Sequence, residues 1–218
     1  SEMCIRDSFS SIEFVERRLE NQGEFYGILL LSILGMNVMV QARELLTAYI
    51  ALELLSFCLY VLSAYAKDEP KSNEAGLKYI LIGAFSSAIL LYGLSMVYST
   101  LGVTQFTEIG SSLAIPGEVS PALWAGLALL VVGLGFKISA VPFHMWAPDV
   151  YEGAPLPVTA FLSVGSKAAG FAFLIRLFAE AIEPLSSDWT IAIGLIAVLT
   201  MTFGNLVAIQ QSNIKRLL

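Results

Sequence analysis

The sequence predicts an all-α fold, a polytopic transmembrane helical bundle. Three observations predict it. Hydrophobic residues make up 56% of the 218 residues and charged residues 14%, with a mean hydropathy of +0.75. Several apolar runs reach the roughly 20 residues that a helix needs to cross a bilayer. Lysine and arginine collect in alternate connections between those runs, which is how a multi-pass protein orients itself.

Apolar runs between charge clusters give six crossings, at about 25–41, 45–65, 75–99, 122–150, 157–179 and 189–210. No linker or soluble domain interrupts them, so residues 23–218 read as one transmembrane domain and residues 1–22 as an ill-defined N-terminal segment. The longest polar connection, Thr100 to Ser120, carries Gly102, Gly110, Pro116 and Gly117 as breakers. The fourth crossing is expected to be a broken helix. Pro142 has no amide hydrogen and its ring clashes with the carbonyl of Ile138, next to Lys137. With alternate loops on alternate sides, Arg17, Arg18, Lys67, Lys71, Lys78, Lys215 and Arg216 face one compartment, while Arg43 and Arg176 face the other. The first set marks the cytoplasmic side, or its organellar equivalent.

The first residues, SEMCIRDS, have neither a signal-peptide profile nor helix periodicity and read as a non-native scar. The chain stops after Ile214-Lys215-Arg216-Leu217-Leu218 with no polar tail, so the expectation is a fragment of a longer protein.

The net charge of −6 comes with no basic block, so nucleic-acid binding has no electrostatic footprint. Cys4 and Cys58 lack metal-ligand or CxxC spacing and are assigned no chemistry. Dinucleotide, Walker, haem and iron–sulfur signatures are missing from this sequence, so no cofactor or metal is expected on this chain. Any redox chemistry belongs to partner subunits. Trp124, Trp146, Trp189 and several tyrosines read as interfacial belts.

The informative groups are the charges inside apolar sequence. An ionisable side chain near a bilayer centre costs at least about 2.5 to 3.5 kcal/mol, so its default reading is a proton or ion path. Glu53 lies eight residues past Leu45, about 12 Å into a helix. No basic residue stands three or four positions away, so an ionised Glu53 needs a partner on another helix or water; the bland reading is a protonated packing glutamate. Lys137 follows Gly133 and Gly135, and a nearby carboxylate could switch it between holding and releasing a proton. Its bland reading is a lysine snorkelling to the interface. Lys167, ten residues past Pro157, sits about 15 Å deep among Gly165, Ser166, Ala168, Ala169 and Gly170. His144, the single histidine, either relays protons or hydrogen-bonds the broken backbone. Asp149 and Glu152 are expected to cap helices or face the cytoplasmic rim.

The strings GFKISAVPFHMWAPDVYEGAPLPVTAFLSVGSKAAGF, LLTAYIALELLSFCLYVLSAY, EAGLKYILIGAFSSAILLYG and AIQQSNIKRLL closely resemble the antiporter-like, proton-translocating membrane subunits of respiratory complex I (NADH:quinone oxidoreductase). PFHMWAPDVYEGAPLPVTAF points to the subunit N branch, and the resemblance runs from about Gly23 to Leu218. It implies one near-complete half of an inverted-repeat fold, covering about the fourth to ninth helices of the family, with a broken seventh. Glu53, Lys137 and Lys167 then match the family's glutamate and two lysines of the proton path. NADH, flavin, iron–sulfur clusters and quinone are expected in partner subunits. The implied partners are other membrane subunits and the lipid bilayer, and the implied location is the inner (cytoplasmic) membrane. The helices beyond this stretch are implied to complete the path, so the piece alone is not expected to pump. Two other readings compete: a subunit of a multisubunit cation/proton antiporter, and a membrane scaffold without translocation, which would tolerate loss of Glu53 and Lys137.

Overall fold

A computed structural model describes residues 11–12, 14–16, 21–115 and 119–217. Cys4, Arg17, Arg18, Pro116, Gly117 and the supposed scar lie outside the described residues. The helices are α1 (Gln22–Gln41), α2 (Leu45–Ser63), α3 (Pro70–Leu101), α4 (Phe106–Leu113), α5 (Pro121–Lys137) and α6 (Trp146–Gly153), followed by α7, α8 (Ser186–Ile209) and a short α9 (Ile214–Leu217). Helix α7 runs from Leu156 to Ala181 and widens into π-helical turns at Leu162–Ser166 and Leu177–Ala181. Among the described residues the extended pairing is limited to one antiparallel bridge, Glu44 with Gln105.

Five helices are long and apolar enough to cross a membrane: α1, α2, α3, α7 and the Glu183–Ile209 helix containing α8. The expected fourth crossing is split. Helix α5 ends after 17 residues at Lys137, Ser139 takes a left-handed φ of 57°, and α6 starts at Trp146. The break is where the proline argument puts it, because the Ile138 carbonyl has no Pro142 amide to accept from. The polar connection after α3 holds a helix that periodicity did not reveal, α4, with Phe106 and Ile109 buried against the π turn of α7.

Small residues let α3 approach its neighbours. A Cβ on Gly93 would sit 2.8 Å from the Gly126 carbonyl of α5, and one on Gly133 would sit 2.6 Å from Leu90 Cβ. Close backbone approach of this kind is how apolar helices gain packing where lipid competes equally for leucine. By contrast α8 has no buried residue, and it meets the break through Thr200 and Phe203.

The two ends of the bundle differ as the charge count requires. At one end Lys71 and Arg216 pair with Glu152, and Lys78 and Arg216 with Asp149, all at 3.0 Å, while Lys215 donates to the carbonyl of Ala154. Asp149 and Glu152 are therefore rim ion-pair partners; neither caps a helix. At the other end Arg176 donates to the Val40 carbonyl at 2.6 Å and pairs with Glu180.

That second end is closed by a clamp. The Leu45 amide donates to the Thr104 carbonyl at 2.9 Å and the Phe106 amide to the Arg43 carbonyl at 3.0 Å. Glu44 accepts from the hydroxyls of Thr47, at 2.5 Å, and Thr104, at 3.0 Å.

Trp146 departs from the belt expectation. It is 3% exposed, stacks on Tyr79 with centroids 4.6 Å apart, and donates its indole N–H to the Phe136 carbonyl at 3.0 Å. The break turns α6 inward, and the Phe136 carbonyl, which also accepts the Ser139 amide at 3.1 Å, gives the tryptophan in the bundle the partner it would otherwise seek at the interface. Trp124 is 38% exposed, consistent with a belt position.

Two outcomes are expected. Gly93→Leu should destabilise the bundle by about 1–3 kcal/mol through overpacking, read as a lower thermal midpoint and less assembled subunit. The hydroxyls of Thr47 and then Thr104 hold the Glu44 carboxyl below its ordinary value of 4.5. A depressed acid stabilises above its unfolded pKa and loses that contribution as pH falls through the folded value. The melting difference between wild type and Glu44→Gln should therefore shrink as pH drops from neutral to below 4.5; a constant difference would contradict the clamp.

Candidate functional site

Glu53, Ser56 and Tyr60 lie on one face of α2, at spacings of three and four residues, and Gly83 and Ser87 lie one turn apart on α3. The two faces meet. Ser87 donates its hydroxyl to Glu53 Oε1 at 2.6 Å. Lys137, the last residue of α5, reaches into the same place: its Nζ donates to Ser56 Oγ at 2.7 Å and to Ser87 Oγ at 3.5 Å. The Ser56 hydroxyl is itself committed to the Leu52 carbonyl at 2.7 Å. Ser87 thus joins lysine to glutamate as acceptor from the one and donor to the other. The partner that Glu53 required on another helix is Ser87, and Lys137 turns inward to the serines where a snorkelling side chain would run to the rim.

The Lys137 ammonium also lies 5.9 Å from the centroid of Tyr60 and 5.7 Å from that of Phe136. Aromatic faces hold a desolvated cation at up to about 2 kcal/mol each.

Lys167 follows the first π turn of α7, where Gly165 leaves room for the Phe161 ring at 3.0 Å from a would-be Cβ. The extra residue in that turn shifts the face that α7 presents, a device frequent at functional sites. Lys167 Nζ lies 3.5 Å from the Ile138 carbonyl, and 5.8 Å and 5.6 Å from the ring centroids of Trp146 and Tyr151. A cation is well placed there, because Ile138 caps the negative end of the α5 dipole.

The two lysines do not share a partner. Between them runs a chain of rings: Tyr60 edge-on to Tyr79 at 4.7 Å, Tyr79 stacked on Trp146, and Trp146 against Phe136 at 5.1 Å. A proton exchanged between the two lysines through water would therefore have aromatic side chains in its way.

His144 lies in the break with its ring 4.9 Å from Phe203, and its Nδ1 is buried with no hydrogen-bond partner. The Ser139 hydroxyl is in the same condition. Of the two readings of His144, bonding to the broken backbone through Nδ1 is not observed. Both groups line a cleft of about 180 Å³ with Tyr151, Lys167, Gln211 and Arg216. A cleft of that size holds several waters at roughly 30 Å³ each, and orphaned polar atoms are what such waters bond. Among the described residues no three His, Cys, Asp or Glu side chains gather as a metal site.

Sequence reasoning missed Ser56, Ser87 and Tyr60. Ser56 stands three residues past Glu53, which is a weak signal, since serines in apolar helices ordinarily bond their own backbone.

A split membrane helix with a lysine at the break, a carboxylate on a neighbouring helix and a second buried lysine defines the class of antiporter-like membrane subunits. Residues 42–218 match the family model described as NADH:quinone oxidoreductase/Mrp antiporter, TM. The chain belongs to that family. It is 53% identical over 208 residues to NADH-quinone oxidoreductase subunit N of Moorella thermoacetica, covering 95% of this chain and 44% of the relative. It resembles a chain of respiratory complex I from Thermus thermophilus with a TM-score of 0.74 at 40% identity, covering 89% of this chain and 41% of that one. A likeness to the Mrp complex from Dietzia sp. DQ12-45-1b, TM-score 0.76 at 22% identity over 87% of this chain and 35% of that one, shows the fold alone. The chain thus spans under half the length of the curated relatives it matches.

Ser87→Ala is expected to destabilise the bundle by about 1–3 kcal/mol, read as a lower thermal midpoint, because it removes a hydroxyl that touches both Lys137 and Glu53. Ser87→Thr should restore most of it, and equal midpoints for Ala and wild type would remove Ser87 from the site.

Proposed function

We propose that this chain is the proton-translocating part of a membrane subunit of NADH-quinone oxidoreductase, complex I, in which electron transfer from NADH to quinone in partner subunits is coupled to proton movement across the membrane. The observation that carries the reading is the string Lys137, Ser87, Glu53 inside a membrane-spanning bundle. The printed name of the relatives supports the complex to which it belongs.

The string can move one proton with balanced bookkeeping. Lys137 gives an ammonium proton to Ser87 Oγ as Ser87 gives its own to the Glu53 carboxylate, leaving a neutral amine, an unchanged serine and a protonated glutamate. The driving term is the field of the site. A carboxylate close to an ammonium favours both charges, so the charge of Glu53 and the proton of Lys137 are coupled through Ser87. Lys167 is the second proton-carrying lysine and His144, with the cleft beside it, a lower-ranked relay. NADH, flavin, iron–sulfur clusters and quinone belong to partner subunits, and this chain binds none of them. The end carrying Lys71, Lys78, Lys215 and Arg216 faces the cytoplasm, and the membrane is the bacterial inner membrane. Because the relatives are more than twice as long, the remaining helices complete the path and this stretch does not pump alone.

The test is Lys137→Ala in the full-length subunit, reconstituted in vesicles after assembly is confirmed. Loss of pumping, with quinone reduction slowed by about 10² or more, is expected for a group in the coupled path. Wild-type protons per electron pair would return Lys137 to a structural role.

A further inference from the structure

Tyr60 brings a buried phenol to this site, beside the hydroxyls of Ser56 and Ser87. The residue is 4% exposed, and its hydroxyl is buried with no hydrogen-bond partner. It is placed there by its neighbours. Gly83 leaves the space, since any Cβ at that position would collide with Tyr60 Oη. Phe57 and Tyr79 meet the ring edge-on at 6.0 Å and 4.7 Å. Ser56 lies one turn before Tyr60 on α2, and Ser87 one turn after Gly83 on α3.

Two further observations converge on the ring. One face looks at the Lys137 ammonium, 5.9 Å from the centroid. Tyr60 also lines a cleft of about 380 Å³ between α1, α2 and α3, whose other lining residues include Glu24, Tyr65, Lys67 and Gly76. Lys67 follows α2 at the same end as the rim cluster of Lys71 and Lys78, so the cleft opens toward the cation-rich side. It has room for several waters at roughly 30 Å³ each.

The ammonium has three N–H groups. One is well bonded to Ser56 and one makes a long contact to Ser87. Both serine hydroxyl protons are already given away, to Leu52 and Glu53. Neither serine can hand Lys137 a proton without breaking its own bond. The phenol lies beside both serines with no hydrogen bond of good geometry, and its residue borders a cleft on the Lys67 side.

We propose that Tyr60 is a positioning residue that connects this cleft to Lys137, its hydroxyl holding the water that returns a proton to the lysine. The step is a proton relay. A hydrated proton in the cleft protonates a water bonded to Tyr60 Oη, that water gives a proton to the neutral Lys137 amine, and the phenol ends as it began. The inference rests on the proton-translocating reading of Lys137.

The test is Tyr60→Phe in the full-length subunit within the assembled complex, beside Lys137→Ala. Phenylalanine keeps the ring and its contacts to Lys137 and Tyr79, so a packing role would leave it silent. Expected is a fall of about tenfold in the kcat of coupled quinone reduction with unchanged KM for quinone, and a larger solvent deuterium isotope effect. Wild-type kcat and isotope effect in Tyr60→Phe, with Lys137→Ala inactive, overturn the role of Tyr60 alone; wild-type pumping in Lys137→Ala overturns the reading beneath it. Val61→Trp, on the exposed wall of the cleft, provides a second arm that leaves the phenol intact. Narrowing the cleft should reproduce the kcat loss, and an unaffected Val61→Trp complex would overturn the route.

Discussion

The carbonyl of Ile138, which Pro142 leaves without its helical amide, governs the rest of this molecule. In a bilayer every backbone polar group must find a partner inside the protein or in a wet cavity, so a helix cannot stop at mid-depth for free. Pro142 denies Ile138 its usual amide, and the structure answers with side chains from distant elements. Lys167 approaches the Ile138 carbonyl from α7, the Trp146 indole takes the Phe136 carbonyl, and Thr200 of α8 accepts from the Val141 amide at 3.0 Å. Each of these contacts ties a separate helix to the break.

The same constraint positions the charges. Because α5 stops at Lys137, its side chain leaves the end of a helix, free to bend into the α2–α3 seam where Ser56 and Ser87 wait. Because the break presents carbonyls, the second lysine has a reason to be there. Both ammonium groups rest on aromatic faces, and only Lys137 is coupled to a carboxylate, through Ser87. The arrangement brings two lysines into an apolar bundle, with the Glu53 carboxyl near one of them. Such a site is poised electrostatically, since any change in the charge of Glu53 is felt first by Lys137.

Much of this was legible from residues alone. The apolar runs set five full crossings and the proline set the break within the fourth, because length and the missing amide are properties of the chain. The placing of Glu53 and Lys167 well inside long apolar helices, and of Lys137 at the break, followed from their positions in the apolar runs. The rim pairs of Asp149 and Glu152 were half legible: their end of the bundle was right, while the capping alternative was not realised. Trp146 was misread, since a tryptophan next to a helix end has the composition of a belt residue whichever way the backbone turns. Helix α4 was invisible in a stretch rich in glycine breakers, and it forms because Phe106 and Ile109 find the π turn of α7.

The sequence by itself determined that this chain crosses a membrane several times, which end carries the cations, and which three ionisable residues stand inside apolar sequence. Those are consequences of transfer free energies and local geometry. Only the tertiary structure decided which of the charges meet. Ser87 stands 34 residues from Glu53 and 50 from Lys137, and nothing in their spacing foretells that one hydroxyl serves both. That choice belongs to the packing of α2, α3 and α5, where Gly83, Gly93 and Gly133 let the helices close to hydrogen-bonding distance.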